Sequence, residues 1–271
     1  IPVSEEELKS SGREDEFKVL DERFLSTPGY AIEQCISLTK KMAELSGAAV
    51  WEAMGLFESF SPEQAKLVRE QETILDKYED KLSAYLTRLS SQDLSEKDGQ
   101  NVSVLLQSIS DLERLGDHAL NLTEIAGSMK KKELEFSKKA KHEMEIFGGA
   151  VQDILNRSIQ AFIQNDTKMA LTVEPLEEVI DKLNKEVKKR HIKRLKKGKC
   201  TIELGLVLSE IAINYERVAD HCSNLAVYMI QMEDNTVEAH GYVNHLSGTT
   251  RMRFDEMQEF FLSKYSLGGK E

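Results

Sequence analysis

The sequence contains few of the residues that interrupt helices or cross-link a chain. It has 4 prolines, 3 cysteines and 1 tryptophan among 271 residues. So few prolines, together with abundant Glu, Lys, Leu and Ala, favour helix over sheet. The cysteines (Cys35, Cys200 and Cys222) are odd in number and widely spaced. This pattern predicts reduced thiols in a cytosolic compartment rather than a disulfide framework.

The sequence also lacks long apolar runs and an excess of positive charge. No segment approaches the roughly 20 apolar residues that a membrane-spanning helix needs, and the mean hydropathy is -0.42. The net charge of -11 argues against nucleic acid as a partner, because binding to nucleic-acid phosphates depends on Lys and Arg. The chain begins at Ile1 without an initiator methionine, which predicts that it is part of a longer protein.

The spacing of apolar residues predicts an all-α protein. Steps of three and four place helices at about 30–57, 61–89, 99–131, 135–164, 167–197, 201–233 and 250–265. Pro28 marks the first turn of the first of these, and Ser61 with Gln64 fits a capping box at the second. Four segments follow from this pattern: a leader at 1–29 with a short helix starting near Ser4, three-helix units at 30–132 and 133–234, and a tail at 235–271 with the final helix.

The two three-helix units carry an internal repeat. Residues 113–122 read ERLGDHALNL, and residues 216–225, at an offset of 103, read ERVADHCSNL. Upstream, ETILDK at 72–77 matches EEVIDK at 177–182 at an offset of 105. The repeat therefore extends over the second and third helices of each unit.

Each repeat contains two Glu-x-x-x-Asp motifs, one on its second helix and one on its third. Residues four apart point the same way along a helix, about 5–6 Å from each other. Two facing pairs would surround one volume with four carboxylates, which suits cations such as Fe, Mn, Mg or Ca. The eight acids are Glu72, Asp76, Glu113, Asp117, Glu177, Asp181, Glu216 and Asp220.

The position of these acids favours metal binding over ordinary solvated charge. At about 100° per residue, Glu113 falls inside the apolar arc of its helix, and Glu216 holds the same place 103 residues later. A carboxylate that faces a core is costly unless it is paired or bound to metal. Buried Arg or Lys partners remain the alternative explanation.

Histidine and asparagine follow the aspartates at fixed spacings. His118 and His221 are rotated by about 100° from the preceding aspartates, so we expect them to support the site rather than to bind metal. Asn121 and Asn224 are expected to hydrogen-bond the ligands or adjacent backbone. No histidine has a Glu three places before it, which disfavours a ferritin-type di-iron oxidase.

The paired ExxxD motifs and the repeated ERxxDHxxN helix resemble the PhoU family of phosphate-uptake regulators. The resemblance covers about residues 30–233. It implies two tandem spectrin-like three-helix bundles, with short helical extensions here at both ends. It also implies metal clusters bound by the eight acids, with Fe expected and Mn, Mg, Ca or Zn as alternatives.

Two flanking stretches give a narrower resemblance. FKVLDERFLSTPGYAIEQ (17–34) and FFLSKYSL (260–267) are similar to segments of bacterial Na/Pi cotransporter family proteins. This implies a cytosolic, non-enzymatic regulatory domain at the inner face of the cell membrane, which contacts the membrane domain of a phosphate transporter and is compatible with a homo-oligomer. The alternatives are a free-standing PhoU-type phosphate-signalling adaptor, a metal-dependent enzyme and a metal-free helical scaffold.

Two further features bear on the second repeat. Pro175 lies inside the predicted fifth helix, just before Glu177, and should kink that helix or remove a hydrogen bond from it. Residues 182–199 contain ten Lys or Arg in eighteen. Most such runs are solvated faces, but beneath a membrane this run would meet anionic headgroups.

Overall fold

A computed structural model describes residues 15–233 and 248–268. The described part is helical, without strands, and the prediction of an all-α fold in two repeats is confirmed. The residues expected to form a short helix near Ser4 and the segment 234–247 lie outside the described residues. In the described part, no helix is both long enough and apolar enough to cross a membrane.

The helices follow the predicted order, with two short 3-10 helices and the short α-helix Thr167–Ala170 as additions. Two short 3-10 helices precede the first repeat, Glu16–Val19 and Glu22–Ser26. The α-helices are α1 Pro28–Gly55, α2 Pro62–Ser90, α3 Glu96–Lys131, α4 Lys138–Gln164, α5 Thr167–Ala170, α6 Val173–Lys196, α7 Ile202–Glu233 and α8 Gly248–Lys264.

Equivalent caps stand at the start of α2 in the first repeat and of the short α5 in the second. Ser61 Oγ accepts a hydrogen bond from the Gln64 amide at 3.2 Å, and Asp166 accepts one from the Met169 amide at 3.0 Å. The predicted second half of the capping box is wrong: among the described residues, the Ser61 amide does not donate to the Gln64 side chain. Gln64 Nε2 instead donates to the Glu52 carbonyl at 2.9 Å. The end of α1 thus provides an acceptor that the local sequence does not reveal.

The structure corrects the expected kink at Pro175. The predicted helix at 167–197 is interrupted after α5, and α6 restarts at Val173. Pro175 therefore lies in the first turn of α6, where a backbone N–H has no partner within the helix in any case. Glu177 consequently sits on a regular helix.

One continuous apolar core runs through both repeats. The first repeat packs α1, α2 and α3 together, and the second packs α4, α6 and α7. Helix α1 also packs on α4, and α3 packs along α7. At the first of these contacts, a Cβ on Gly47 would lie 3.2 Å from Ile159 Cγ1. The α1 backbone therefore approaches α4 closely.

The flanking elements pack on this core. The leader packs on α2. Tyr85 Oη of α2 donates to the Asp21 carbonyl at 3.0 Å, and Phe17 meets Tyr78 of α2 edge-to-face with ring centroids 4.9 Å apart. Helix α8 packs on α6, with Phe261 buried and Tyr265 Oη donating to Asp153 at 2.8 Å. Both extensions thus contribute to the folded body.

Candidate metal-binding surfaces

The first acidic surface comprises Glu72 and Asp76 on α2 with Glu113 and Asp117 on α3. Helix α3 comes close to α2 at Gly116, where a Cβ would lie 2.6 Å from Leu75 Cδ1. Leu75 lies between the two acids of α2, and Gly116 lies between those of α3. The close helix contact therefore brings the two motifs side by side.

The acids of the first acidic surface repel one another. Partial burial raises the pKa of Glu72, Asp76 and Glu113, and the negative charge of Asp117 raises all three pKa values further. Arg114 approaches Glu113 at 3.7 Å and Asp117 at 3.5 Å. Among the described residues, no cation lies within ion-pair distance of Glu72 or Asp76. The surface thus holds an uncompensated negative charge.

The second acidic surface comprises Glu177 and Asp181 on α6 with Glu216 and Asp220 on α7, and cations partly neutralise it. Lys185 Nζ lies 3.1 Å from Asp181, and Lys188 Nζ lies 3.7 Å from Glu216. Arg217 pairs with Asp220 at 3.3 Å. The equivalent positions of the first surface lack the two lysine contacts in the described structure.

Glu177 has the most perturbed carboxyl group of either surface. Burial, followed by the charges of Glu174, Asp181 and Asp220, raises the pKa of Glu177 to about 8. Burial also raises the pKa of Glu174, against a hydrogen bond from Ser223 that lowers it. At neutral pH the Glu177 carboxyl is therefore mostly protonated, and a cation would have to displace that proton to bind there.

The predicted ligands share two surfaces without forming a finished coordination site. Within residues 15–233 and 248–268, no three His, Cys, Asp or Glu side chains converge closely enough to hold a metal ion. The chemistry of the donors nevertheless fits a hard cation, because they are oxygen ligands that destabilise one another's charge. Glu113 and Glu216, expected to face the core, are half-buried at its edge. The metal site remains a prediction.

The two histidines join the repeats to each other. His118 Nδ1 lies 2.9 Å from Asn214 Oδ1, and His221 Nδ1 lies 2.6 Å from Asp111 Oδ1. The two rings stack with centroids 5.4 Å apart. The repeat pattern predicts that the histidines support the metal ligands, but their hydrogen bonds cross the α3–α7 contact. The rotation of about 100° from the aspartates turns each ring toward the other repeat.

Two residues of this contact are not evident from the motifs alone. Asp111 and Asn214 are 103 positions apart, the same offset as the histidines, so the two cross-repeat pairs are equivalent. Asn224 Nδ2 also donates to Asp111 at 3.2 Å rather than to a predicted ligand. Asn121, its counterpart, lines a cleft with Asn214. The repeat offset is the signal that could have identified the pair.

The basic stretch at 182–199 does not form one exposed face. Lys182 and Lys185 pair with acids four residues before them on α6. Arg190 and Arg194 are buried, while Lys197 and Lys199 are exposed. The expected contact with anionic lipid therefore remains a prediction for only part of the stretch.

Comparison with known families identifies both repeats. The family model described as the PhoU domain matches residues 39–126 and 145–229. The phosphate-specific transport system accessory protein PhoU homolog 1 of Thermotoga maritima is 26% identical over 197 residues, which cover 71% of this chain and 83% of that protein.

Two solved structures share the fold. PhoU from Pseudomonas aeruginosa superposes with a TM-score of 0.69 at 22% identity, covering 75% of this chain and 97% of that one. The phosphate transport system regulatory protein PhoU from Streptococcus pneumoniae gives a TM-score of 0.66 at 20% identity, covering 77% and 97%. The compared chains are thus matched almost completely, while about a quarter of this chain lies outside each match.

Proposed function

The chain belongs to the PhoU family, and we propose from this premise that it is a regulatory accessory protein of phosphate transport rather than an enzyme. The observation that carries the proposal is the match of the PhoU domain to each of the two repeats. The Thermotoga maritima relative is named as a transport accessory protein and aligns over most of its length. This supports a PhoU-type adaptor more strongly than the transporter-attached domain expected from the flanking stretches.

We further propose that the adaptor works in the cytoplasm through protein contacts with a membrane-bound phosphate transport system. The first acidic surface supports this idea, because among the described residues Arg114 is the only cation within ion-pair distance of its four acids. Such a concentration of charge favours a cation or a basic partner surface.

The two acidic surfaces are the proposed places for metal ions. Glu72, Asp76, Glu113 and Asp117 would hold metal in the first repeat, and Glu177, Asp181, Glu216 and Asp220 in the second. Oxygen donors suit Fe, Mn, Mg or Ca, and Zn less well. A bound ion supplies positive charge that attracts anionic groups. The positions of the acids would place such an ion between α2 and α3 in the first repeat and between α6 and α7 in the second.

A complementation experiment tests the adaptor function. Bacterial cells that lack their own PhoU homologue would receive this chain, and phosphate uptake would be measured at low and high external phosphate. We expect the chain to restore the dependence of uptake on external phosphate. A chain with Glu72, Asp76, Glu113 and Asp117 changed to their amides should fold but restore less control. If the wild-type chain leaves the dependence of uptake on external phosphate unchanged, the proposal is contradicted.

A transporter-attached domain is the second candidate, and one observation favours it. The 3-10 helices that precede the first repeat lie in the stretch that resembles Na/Pi cotransporter proteins, and they are held on α2 by Tyr85 and the Arg88–Glu22 ion pair. This segment precedes the PhoU match, which begins at residue 39. The coding sequence upstream of Ile1 tests it: paired hydrophobic repeats there would favour the attached domain, and a start codon close by would exclude it.

A further inference from the structure

A basic cleft lies where the end of α6 meets the start of α4. A recess of about 550 Å³ is lined by Ser137, Lys138, Lys139, Arg194, Lys197 and Lys199. None of the described residues that line it is acidic, although the chain carries a net charge of -11. Gly198, in a left-handed turn with φ of 64°, ends α6 and carries Lys197 and Lys199 on either side.

Three lysines of this basic cleft have no acidic partner among the described residues. Among the described residues, no carboxylate lies within ion-pair distance of Lys138, Lys197 or Lys199. The first turn of α4 contains no acid, and its exposed backbone N–H groups add the partial positive charge of a helix N-terminus. Lysines at that end repel the helix dipole, so a bound anion would relieve a real electrostatic cost.

A buried arginine at the cleft has unused hydrogen-bonding capacity. Arg194 is only 4% exposed, and its Nε has no hydrogen-bond partner. Its Nη1 donates to Glu143 Oε1 at 3.0 Å, and its Nη2 lies 2.7 Å from Glu143 Oε2. Glu143 therefore fixes the guanidinium in place. A buried donor without a partner is unfavourable and points to a missing acceptor.

His191 is a second buried side chain at this place with a nitrogen that has no hydrogen-bond partner. His191 is 4% exposed and its Nδ1 has no hydrogen-bond partner. His191, Arg194 and Lys199 line an adjoining recess of about 300 Å³, in which Glu135 is the one acid among the described lining residues. The unsatisfied groups and the lysines thus surround one region of the surface.

We propose that the basic cleft binds a small free anion that carries phosphate groups. Phosphate offers several acceptor oxygens and more than one negative charge, which match an arginine, lysines and a helix N-terminus. Along α6, at 1.5 Å per residue, Arg194 lies about 20 Å from Asp181 and about 9 Å from Lys188, which contacts Glu216. No residue that lines the cleft belongs to the second acidic surface. The site is therefore separate from the second acidic surface, and its binding can succeed or fail independently of the proposed adaptor function.

Titration calorimetry on the full chain tests the proposal, with inorganic phosphate and pyrophosphate as separate probes at fixed ionic strength. We expect saturable binding of at least one probe. Lys138→Glu and Lys199→Glu should each weaken it about tenfold, because each removes a charged donor. Lys97→Glu, an exposed charge reversal in the first turn of α3, should leave the affinity unchanged. No saturable binding, or equal affinity in all four proteins, would overturn the proposal.

Thermal unfolding keeps the test valid if a variant folds poorly. Without phosphate, Lys138→Glu should raise the Tm, because an acid in the first turn of α4 favours the helix dipole. Added phosphate should raise the Tm of the wild type more than that of this variant. A phosphate-dependent increase of the same size in both proteins would contradict a site at this helix end.

Vesicles distinguish a free anion from a lipid headgroup. The chain would be sedimented with phosphatidylcholine vesicles that contain or lack phosphatidylserine. Phosphate binding without phosphatidylserine-dependent sedimentation supports the free anion. Sedimentation that requires phosphatidylserine and is lost in Lys199→Glu, without binding of either soluble probe, would instead assign the cleft to the membrane surface.

Discussion

The first and second acidic surfaces contain the same motifs in different electrostatic surroundings. In the first, only Arg114 contacts the four acids among the described residues. In the second, Lys185 and Lys188 join Arg217 as cations, and the pKa of Glu177 is raised to about 8. Repeated motifs therefore do not imply equal sites. The residues around the motif decide which carboxylates are charged.

Helix packing differs at the same place. Gly116 in the first repeat allows α3 to approach Leu75 of α2 closely. The equivalent positions of the second repeat are Ala219 and Ile180, both buried. The second repeat therefore accommodates the methyl group of Ala219, whereas a methyl group on Gly116 would lie 2.6 Å from Leu75 Cδ1. The first acidic surface is thus built on a helix contact that has no room for a side chain at Gly116.

The largest expected effect tests whether the core beneath the two surfaces is equivalent. Leu75→Ala and Ile180→Ala should each lower the free energy of unfolding by about 4 kcal/mol, since each leaves a cavity in a fully buried site. Urea unfolding followed by circular dichroism measures both. A loss confined to one variant would contradict the equal burial of Leu75 and Ile180.

The next largest effect sharpens the electrostatic difference. The pKa of Glu177 is raised to about 8 in the folded chain, against about 4.3 when unfolded. The folded state therefore keeps a proton that the unfolded state has lost, and stability falls as the pH rises between these values. Glu177→Gln should raise the free energy of unfolding by up to about 3.7 kcal/mol at pH 7 and leave it unchanged at pH 4.

Glu72→Gln is the matched control in the first repeat. The pKa of Glu72 is raised less, by partial burial and then by Asp76, so the same substitution should stabilise the chain by less than about 1 kcal/mol. Both variants would be unfolded in urea across this pH range with a chelator present. An equal gain in the two variants would remove the proposed difference between the surfaces.

The smallest effect concerns the close helix contact. Gly116→Ala should destabilise the chain by about 1 kcal/mol, because the crowding against Leu75 exceeds the gain in helix propensity. Gly99→Ala, also on α3 but with no atom within 4 Å of the added Cβ, should stabilise it by about 0.5 kcal/mol. Thermal unfolding compares the two. A stabilising Gly116→Ala would mean that the contact is looser than described.

Much of the fold can be predicted from the sequence because its signals are local. Apolar spacing, Pro28 and the cap at Ser61 place most helix ends within two or three residues of their observed positions. The break before Val173 escapes prediction, because the apolar spacing continues through it. The offset of the repeat likewise assigns the eight acids to paired helices, since it aligns each motif with its counterpart in the other repeat.

The features that could not be predicted depend on contacts between distant segments. The partner of Gln64 lies on α1, and the partners of His118 and His221 lie in the opposite repeat. The sequence predicts one continuous basic stretch at 182–199. In the structure, packing of α6 buries Arg190 and Arg194, and Lys197 is exposed. Local periodicity cannot assign such partners, because it does not specify how the helices pack together.

Metal content provides the most direct test of the claim that the two surfaces differ in charge. The wild type, Glu113→Gln with Asp117→Asn, and Glu216→Gln with Asp220→Asn would be equilibrated with Fe(II) under anaerobic conditions at about pH 6.5, below the raised pKa of Glu177. Bound iron would then be measured by mass spectrometry after desalting. We expect the first double variant to lose most of the iron and the second to lose little, because Glu177 is protonated and lysines neutralise its neighbours. Equal iron in all three proteins would contradict the account.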